Sequence, residues 1–134
     1  MVEMVFDPRD DFHRFDEALS AADMAWWEIE LPSGAVFFSE NKTRMLGYEK
    51  ENFFHYTSFT NLLHPDDYPK AMTAMEEHIS GKTPYYETTY RIKAKNGTYR
   101  KFYDRGKITQ RKDEVTCISG IVADITDLRP EILQ

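Results

Sequence analysis

Asn96 and Gly97 constrain this chain more than any other pair of neighbours. They sit between two runs of alternating residues, 85–95 and 98–109. An Asn-Gly pair in that setting predicts a two-residue type I′ hairpin, because the turn needs positive φ at both central positions. A third run, 115–125, follows a turn at 110–114. It places Cys117, Ser119, Ile121 and Ala123 on one face and Ile118 and Val122 on the other. Apolar residues on both faces mark a central strand. The last third of the chain therefore reads as three antiparallel strands.

Two more strands open the chain. Trp27, Ile29 and Leu31 alternate with Glu28 and Glu30 over 24–31, Pro32-Ser33-Gly34 is a turn signal, and 35–39 returns as a partner strand. Helical spacing appears elsewhere. Phe12, Phe15, Ala18 and Leu19 form one stripe over 9–21, with Asp7 or Asp10 able to cap it and Pro8 suited to a first turn. A short helix over 40–47 stops at Gly47. Weak helical turns follow over 48–63, where Phe53, Phe54, Phe59, Leu62 and Leu63 fill space. A longer helix starts at His64-Pro65-Asp66-Asp67 with Asp66 as N-cap. It presents Tyr68, Met72, Met75 and Ile79 on one face and ends at Gly81. Five strands with a helical insertion after the second make an α+β domain built on an antiparallel sheet, with the helices over one face.

The chemistry is sparse. The 134 residues suit one domain, and the net charge of -6 argues against nucleic acid as a partner. Basic residues gather between Arg91 and Lys112, where they read as the solvated sides of two strands. The single cysteine, Cys117, excludes an internal disulfide and reads as a small buried hydrophobe. No stretch is long and apolar enough to span a bilayer, and the acidic N-terminus is unlike a signal peptide, so a cytoplasmic setting is expected. His13, His55 and His64 are too scattered for a zinc site. Nucleotide-binding, hydrolase and kinase signatures are missing, and Glu28 with Glu30 reads as a solvated face. An enzyme is not expected in this segment.

Certain motifs, in order, resemble the PAS (Per-Arnt-Sim) family, in particular the variant carried by bacterial and archaeal sensor histidine kinases. They are Trp27-Glu28-Ile29-Glu30-Leu31 with Gly34; Met45-Leu46-Gly47-Tyr48; Leu63-His64-Pro65-Asp66-Asp67; and His78-Ile79-Ser80-Gly81-Lys82. Tyr86-Glu87 with Tyr90-Arg91-Ile92, Asn96-Gly97-Thr98-Tyr99-Arg100, Asp104-Arg105-Gly106, and Gly120 before Asp124-Ile125-Thr126 complete the set. Lys101 departs from it, since relatives usually place Trp after Tyr-Arg. The resemblance implies a sheet in the order 2-1-5-4-3 and the divisions 1–22 (N-terminal flanking helix), 23–127 (PAS domain) and 128–134 (start of an exit linker).

The resemblance also implies a sensor. Its helices wrap a cavity against the sheet, which in relatives holds a small ligand or is filled by side chains. Alternation points Trp27, Ile29, Phe38, Met45, Met72, Met75, Tyr90 and Ile121 towards it, either as pocket lining or as plain core. Asp124, Ile125 and Thr126 mark the signal exit to a covalently linked output domain, with Arg105 as the expected partner of Asp124. The parent protein is expected to be a sensor histidine kinase, with a diguanylate cyclase as the alternative. No cofactor is expected, and an unidentified small molecule is the candidate signal. His78 is the one candidate metal ligand, since some relatives bind haem iron from this helix; the plainer reading is a packed or solvated histidine. The flavin-attaching cysteine motif of light sensors is missing. On the opposite face, Trp26 and Phe37 need cover from Phe12 and Phe15 of the first helix or from a second subunit. A homodimer is expected, and a ligand-free dimerisation or docking module is the alternative function.

Overall fold

A computed structural model describes residues 8–128, with side chains from residue 11. A cap at Asp7, the role of Pro8 and the linker stretch 129–134 lie outside these described side chains. The elements run α1 (Pro8–Ala21), β1 (Met24–Leu31), β2 (Val36–Phe38), α2 (Asn41–Arg44), a 3-10 turn (Lys50–Asn52), α3 (Thr57–Thr60), α4 (Tyr68–Ile79), β3 (Tyr86–Lys93), β4 (Tyr99–Lys112) and β5 (Val115–Asp124). One antiparallel sheet has the order β2-β1-β5-β4-β3, as the resemblance implied.

The hairpin at Asn96-Gly97 forms by a different turn. Gly97 alone has positive φ, at +90°. Its N–H donates to Ala94 O, Ala94 N–H donates to Thr98 O, and Asn96 Oδ1 accepts from Thr98 N–H and Oγ1. This is a three-residue loop in which only the glycine takes the left-handed conformation. The positive-φ pair is found at the next turn, where Asp113 (+55°) and Glu114 (+72°) join Lys112 to Val115.

One face of the sheet carries the core. Ala25, Trp27, Tyr86, Tyr90, Ile92, Phe102, Ile118 and Val122 are all buried on it. The opposite parity is solvated: Arg91, Lys93, Lys101, Arg105 and Lys107 are exposed. Residues 40–80 cover the core face. Asp67 and Arg91 pin the start of α4, the carboxylate accepting from Arg91 N, Nε and Nη2 at 2.8–2.9 Å. These bonds hold Asp67 well below the usual carboxylate range. Asp67 occupies the N-cap position without a capping bond, so the expected cap at Asp66 is corrected. Asp66 is exposed, while its neighbour's carboxylate is committed to β3. The end of α4 is tied by His78, whose Nδ1 pairs with Thr83 O at 3.0 Å and whose Nε2 accepts from Ile108 N–H at 2.9 Å. Ala71 and His78 are the buried positions of α4, and Tyr68 is exposed. Phe54 is likewise exposed, whereas Phe53 and Phe59 pack with Val36 in a second small core.

A single row of residues across the sheet explains two glycines. Phe38, Trp27, Gly120, Gly106 and Tyr86 are register partners from β2 to β3. The Trp27 indole lies across both glycines and meets Tyr86 edge-on at 6.0 Å between centroids. A Cβ on Gly120 would lie 2.3 Å from Arg105 O and 2.5 Å from Trp27 Cζ2. Such an overlap with backbone cannot be relieved by a rotamer change. Gly120→Ala is expected to lose about 3 kcal/mol in urea unfolding. Gly97→Ala, with open space around it but a left-handed backbone, is expected to lose about 1–2 kcal/mol. Equal losses would mean that the indole does not require the flat glycine floor.

Candidate functional site

Between α4, the α2–α3 segment and the core face of the sheet lies a cavity of about 240 Å³. A water occupies about 30 Å³ of liquid, so the space is on the order of eight waters. Its wall is mainly apolar, from residues such as Trp27, Ile29, Met72, Met75 and Ile118, and it holds two buried charged residues, Lys42 and Asp104.

Asp104 is placed by strand parity. Phe102, Asp104, Gly106 and Ile108 alternate inward along β4, so its carboxylate must enter the core. There it is hydrogen-bonded at both oxygens. Oδ1 accepts from Trp27 Nε1 at 2.6 Å and Oδ2 accepts from the Tyr90 hydroxyl at 2.9 Å. Burial raises its pKa to about 6, against the pull of Lys42, Tyr90 and Trp27. Burial and the Asp104 charge push the Tyr86 and Tyr90 hydroxyls well above their ordinary value.

Lys42 comes from α2, a single helical turn that leaves Asn41, Lys42 and Thr43 all buried. Its Nζ stands 3.3 Å from the centroid of the Phe59 ring. Desolvation lowers its pKa to about 8, with the Asp104 carboxylate opposing the shift. The cavity thus faces a carboxylate hydrogen-bonded at both oxygens and an ammonium held on an aromatic face.

Of the residues that alternation aimed at a cavity, Trp27, Ile29, Met72, Met75 and Tyr90 line it. Phe38 and Met45 pack against the core outside the lining. Ile121 is corrected: it is 38% exposed and sits beside Trp26 in the register, on the outer face. The alternation along β5 was read rightly, but its inward set is Ile118, Gly120 and Val122. Lys42 and Asp104 were missed. Asp104 carries a readable signal, a carboxylate in phase with Phe102 and Gly106. Lys42 carries none, because a four-residue helix has no periodicity to read.

His78 is corrected as a candidate iron ligand. It is buried, and both ring nitrogens are committed to the backbone of Thr83 and Ile108, so neither is directed at the cavity. Cys117 is only half-buried, since its strand position faces outward. Burial together with Glu28 and Glu30 raises its thiol pKa.

The exit motif is gathered onto the start of β4. Asp124 Oδ2 accepts from Arg100 Nε at 2.9 Å, and Arg100 Nη2 reaches Asp127 Oδ2 at 2.9 Å. Asp124 Oδ1 accepts from Thr126 N and Oγ1. Lys101 N–H donates to Thr126 Oγ1 at 2.7 Å, and Ile125 N–H donates to Lys101 O at 2.9 Å. The expected Arg105 partner is corrected. Phe102 is the register partner of Asp124, so same-face neighbours are even-numbered, and Arg105 is turned outward to Glu87 and the Tyr85 ring.

On the outer face, α1 brings the Phe12 ring edge-on to Trp26 at 5.4 Å. Phe12, Phe15 and Phe37 each remain about half exposed. Trp26 Nε1 is buried without a hydrogen-bond partner among the described residues. No helix among those residues is long and apolar enough to cross a membrane.

Residues 35–122 match the PAS-fold family. A methyl sulfide methyltransferase-associated sensor of Methanosarcina acetivorans is 34% identical over 105 residues, 75% of this chain. The chain spans about a tenth of that relative's length, the match covering 10% of it. Among solved structures, a sensory box histidine kinase/response regulator from Burkholderia thailandensis superposes with a TM-score of 0.69 at 27% identity, over 85% of this chain and 86% of that one. The N-terminal domain of a diguanylate cyclase with a PAS/PAC sensor from Marinobacter aquaeolei gives 0.68 at 20% identity, over 77% and 95%. That level of identity speaks for the fold alone.

Asp104 supplies two linked expectations. Asp104→Ala leaves Trp27 Nε1 and the Tyr90 hydroxyl without an acceptor and Lys42 without its counter-charge. It is expected to cost about 3–5 kcal/mol in urea unfolding at pH 7. Asp104→Asn keeps an acceptor and is expected to cost less. In the wild type the folded state holds this proton up to about pH 6, whereas an unfolded Asp releases it near 4. Between those values the native state binds more protons, so this group's contribution to stability falls as pH rises. The stability advantage of wild type over Asp104→Asn should therefore shrink from about pH 4 to 6. An advantage that grows over that range would show the carboxylate to be held in its charged form.

Proposed function

This chain belongs to the PAS-fold family, and from that premise we propose that it is the signal-input domain of a sensor histidine kinase, read out through Asp124-Ile125-Thr126. As a PAS-fold domain the chain is a sensory module. The observation that carries the reading is the shared use of β4. Asp104 meets the cavity, and four residues earlier Arg100 holds the exit carboxylates.

A ligand that displaces the Tyr90 hydroxyl or the Trp27 indole from Asp104 changes how β4 is held from its core face. The exit segment is bonded to that same strand at Arg100 and Lys101. Two states that differ by a few kcal/mol suffice for a switch, and a ligand shifts them only by its differential affinity. The diguanylate cyclase neighbour shares the fold, so a cyclase is the alternative output.

A second reading is favoured by the outer face. Half-exposed Phe12, Phe15 and Phe37, with Phe12 edge-on to Trp26, leave aromatic area that α1 covers only in part, and a second copy of the chain would bury it. In that reading the domain is a homodimerising module, and input and dimerisation are compatible on opposite faces of one sheet.

The exit is testable in a fusion of residues 1–134 to a histidine kinase transmitter. Asp124 is 7% exposed at its side chain and makes several charge-assisted bonds, so Asp124→Ala is expected to cost about 2 kcal/mol and still leave a folded domain. Arg100→Ala should cost less, because its side chain is 31% exposed. Both are expected to change autophosphorylation several-fold. Folded variants with unchanged phosphorylation would remove the exit from the signalling path.

A further inference from the structure

The two buried charges of the cavity differ in what they have left to offer. Asp104 accepts from Trp27 at one oxygen and from Tyr90 at the other. Each of its oxygens already holds a donor positioned by the sheet, so it has less to offer an incoming amine than an unbonded carboxylate would. Lys42 is the opposite case. An ammonium has three donors and no acceptor. Among the described residues Lys42 Nζ makes no hydrogen bond and no ion pair, and the Phe59 ring is its close contact at 3.3 Å. A ring face partly compensates an ammonium charge but satisfies none of its N–H groups directionally.

We propose that the cavity binds a small amphipathic carboxylic acid, with its carboxylate on Lys42 Nζ and its hydrocarbon portion against Trp27, Ile29, Met72 and Met75. The proposal rests on the reading of this cavity as the signal-input site. Sign selects the head group: the free donors call for an acceptor, and in a water-poor site an anion forms the stronger, charge-assisted bond. Volume selects the tail. An apolar cavity of about 150 Å³ takes benzene, so about 240 Å³ takes a ring and a short chain.

The titratable groups that line the cavity with Lys42 are Asp104 on β4, Tyr86 and Tyr90 on β3, Glu76 on α4 and Tyr56 before α3. Asp104 is ionised above about pH 6 and the hydroxyls of Tyr86 and Tyr90 titrate well above 10. Lys42 loses its proton around pH 8. Affinity for the acid is therefore expected to fall between pH 7 and 9, while affinity for a neutral analogue stays level.

The test uses the 134-residue chain, calorimetry and four probes of one shape: 3-phenylpropanoate, 3-phenylpropanamide, 3-phenylpropylamine and propylbenzene. The acid is expected to bind at least tenfold tighter than the amide, and the amine not at all. Lys42→Met and Lys42→Gln are expected to bind propylbenzene as the wild type does, which also reports that they are folded, and to lose the preference for the acid. Propylbenzene binding without a preference for the acid, or a preference that survives both substitutions, overturns the carboxylate assignment and leaves the input site standing. Binding of none of the four overturns both.

Discussion

The structure depends on the Trp27 indole lying flat across β5 and β4 to reach Asp104. Three conditions must hold together for it to do so. Gly120 and Gly106 must lack side chains, because any Cβ there would overlap the ring or the neighbouring backbone. The register must bring Trp27, Gly120, Gly106 and Tyr86 into one row. Asp104 must point inward to receive the indole N–H at 2.6 Å. A buried indole contributes on the order of 5 kcal/mol through the roughly 200 Å² it removes from water. Desolvating a carboxylate costs several kcal/mol, which the hydrogen bonds from Trp27 and Tyr90 offset at about 1.5–3 kcal/mol each. The apolar part of the contact thus supplies most of the stability, and the polar part sets the register and the direction of the ring.

That arrangement also shapes the cavity. An indole pressed against the sheet leaves space above it that upright side chains would otherwise fill. The cover stands off the sheet because α4 is fastened at its ends, by Asp67 to Arg91 and by His78 to Ile108 and Thr83. Between those ties, flexible methionines face the sheet. Thioether side chains adapt their shape at low cost. The same ties explain why a histidine on this helix is structural here: its imidazole is a splice between two backbones.

Two charges buried near each other without a direct ion pair make the cavity polar at one spot and apolar elsewhere. Lys42 and Asp104 each shift the other's titration. One strand then serves both ends of the domain. β4 carries Asp104 into the core and Arg100 to Asp124 and Asp127, and its edges are shared by β3 and β5. Four residues of hydrogen-bonded strand separate the carboxylate from the Arg100 that holds Asp124 and Asp127. The opposite sheet face carries half-exposed aromatics.

The sequence by itself determined the fold class, the five strands and the faces of most of them, because period-two alternation and turn residues act locally. It also determined that some turn must follow residue 95, although Gly97 alone supplied the positive φ. What it could not determine was which parity of β5 faces inward, since Ile118, Val122, Ile121 and Ala123 are all apolar, and hydrophobicity alone does not choose between two apolar faces. Pairing decided that, together with the partner of Asp124: same-face neighbours follow from register, and register put Arg100 beside it and Arg105 behind. Tertiary structure alone brought Lys42 to Asp104. A four-residue helix carries no pattern, and a lysine reads as solvent-facing until the helix that bears it is folded under α3 and against the sheet.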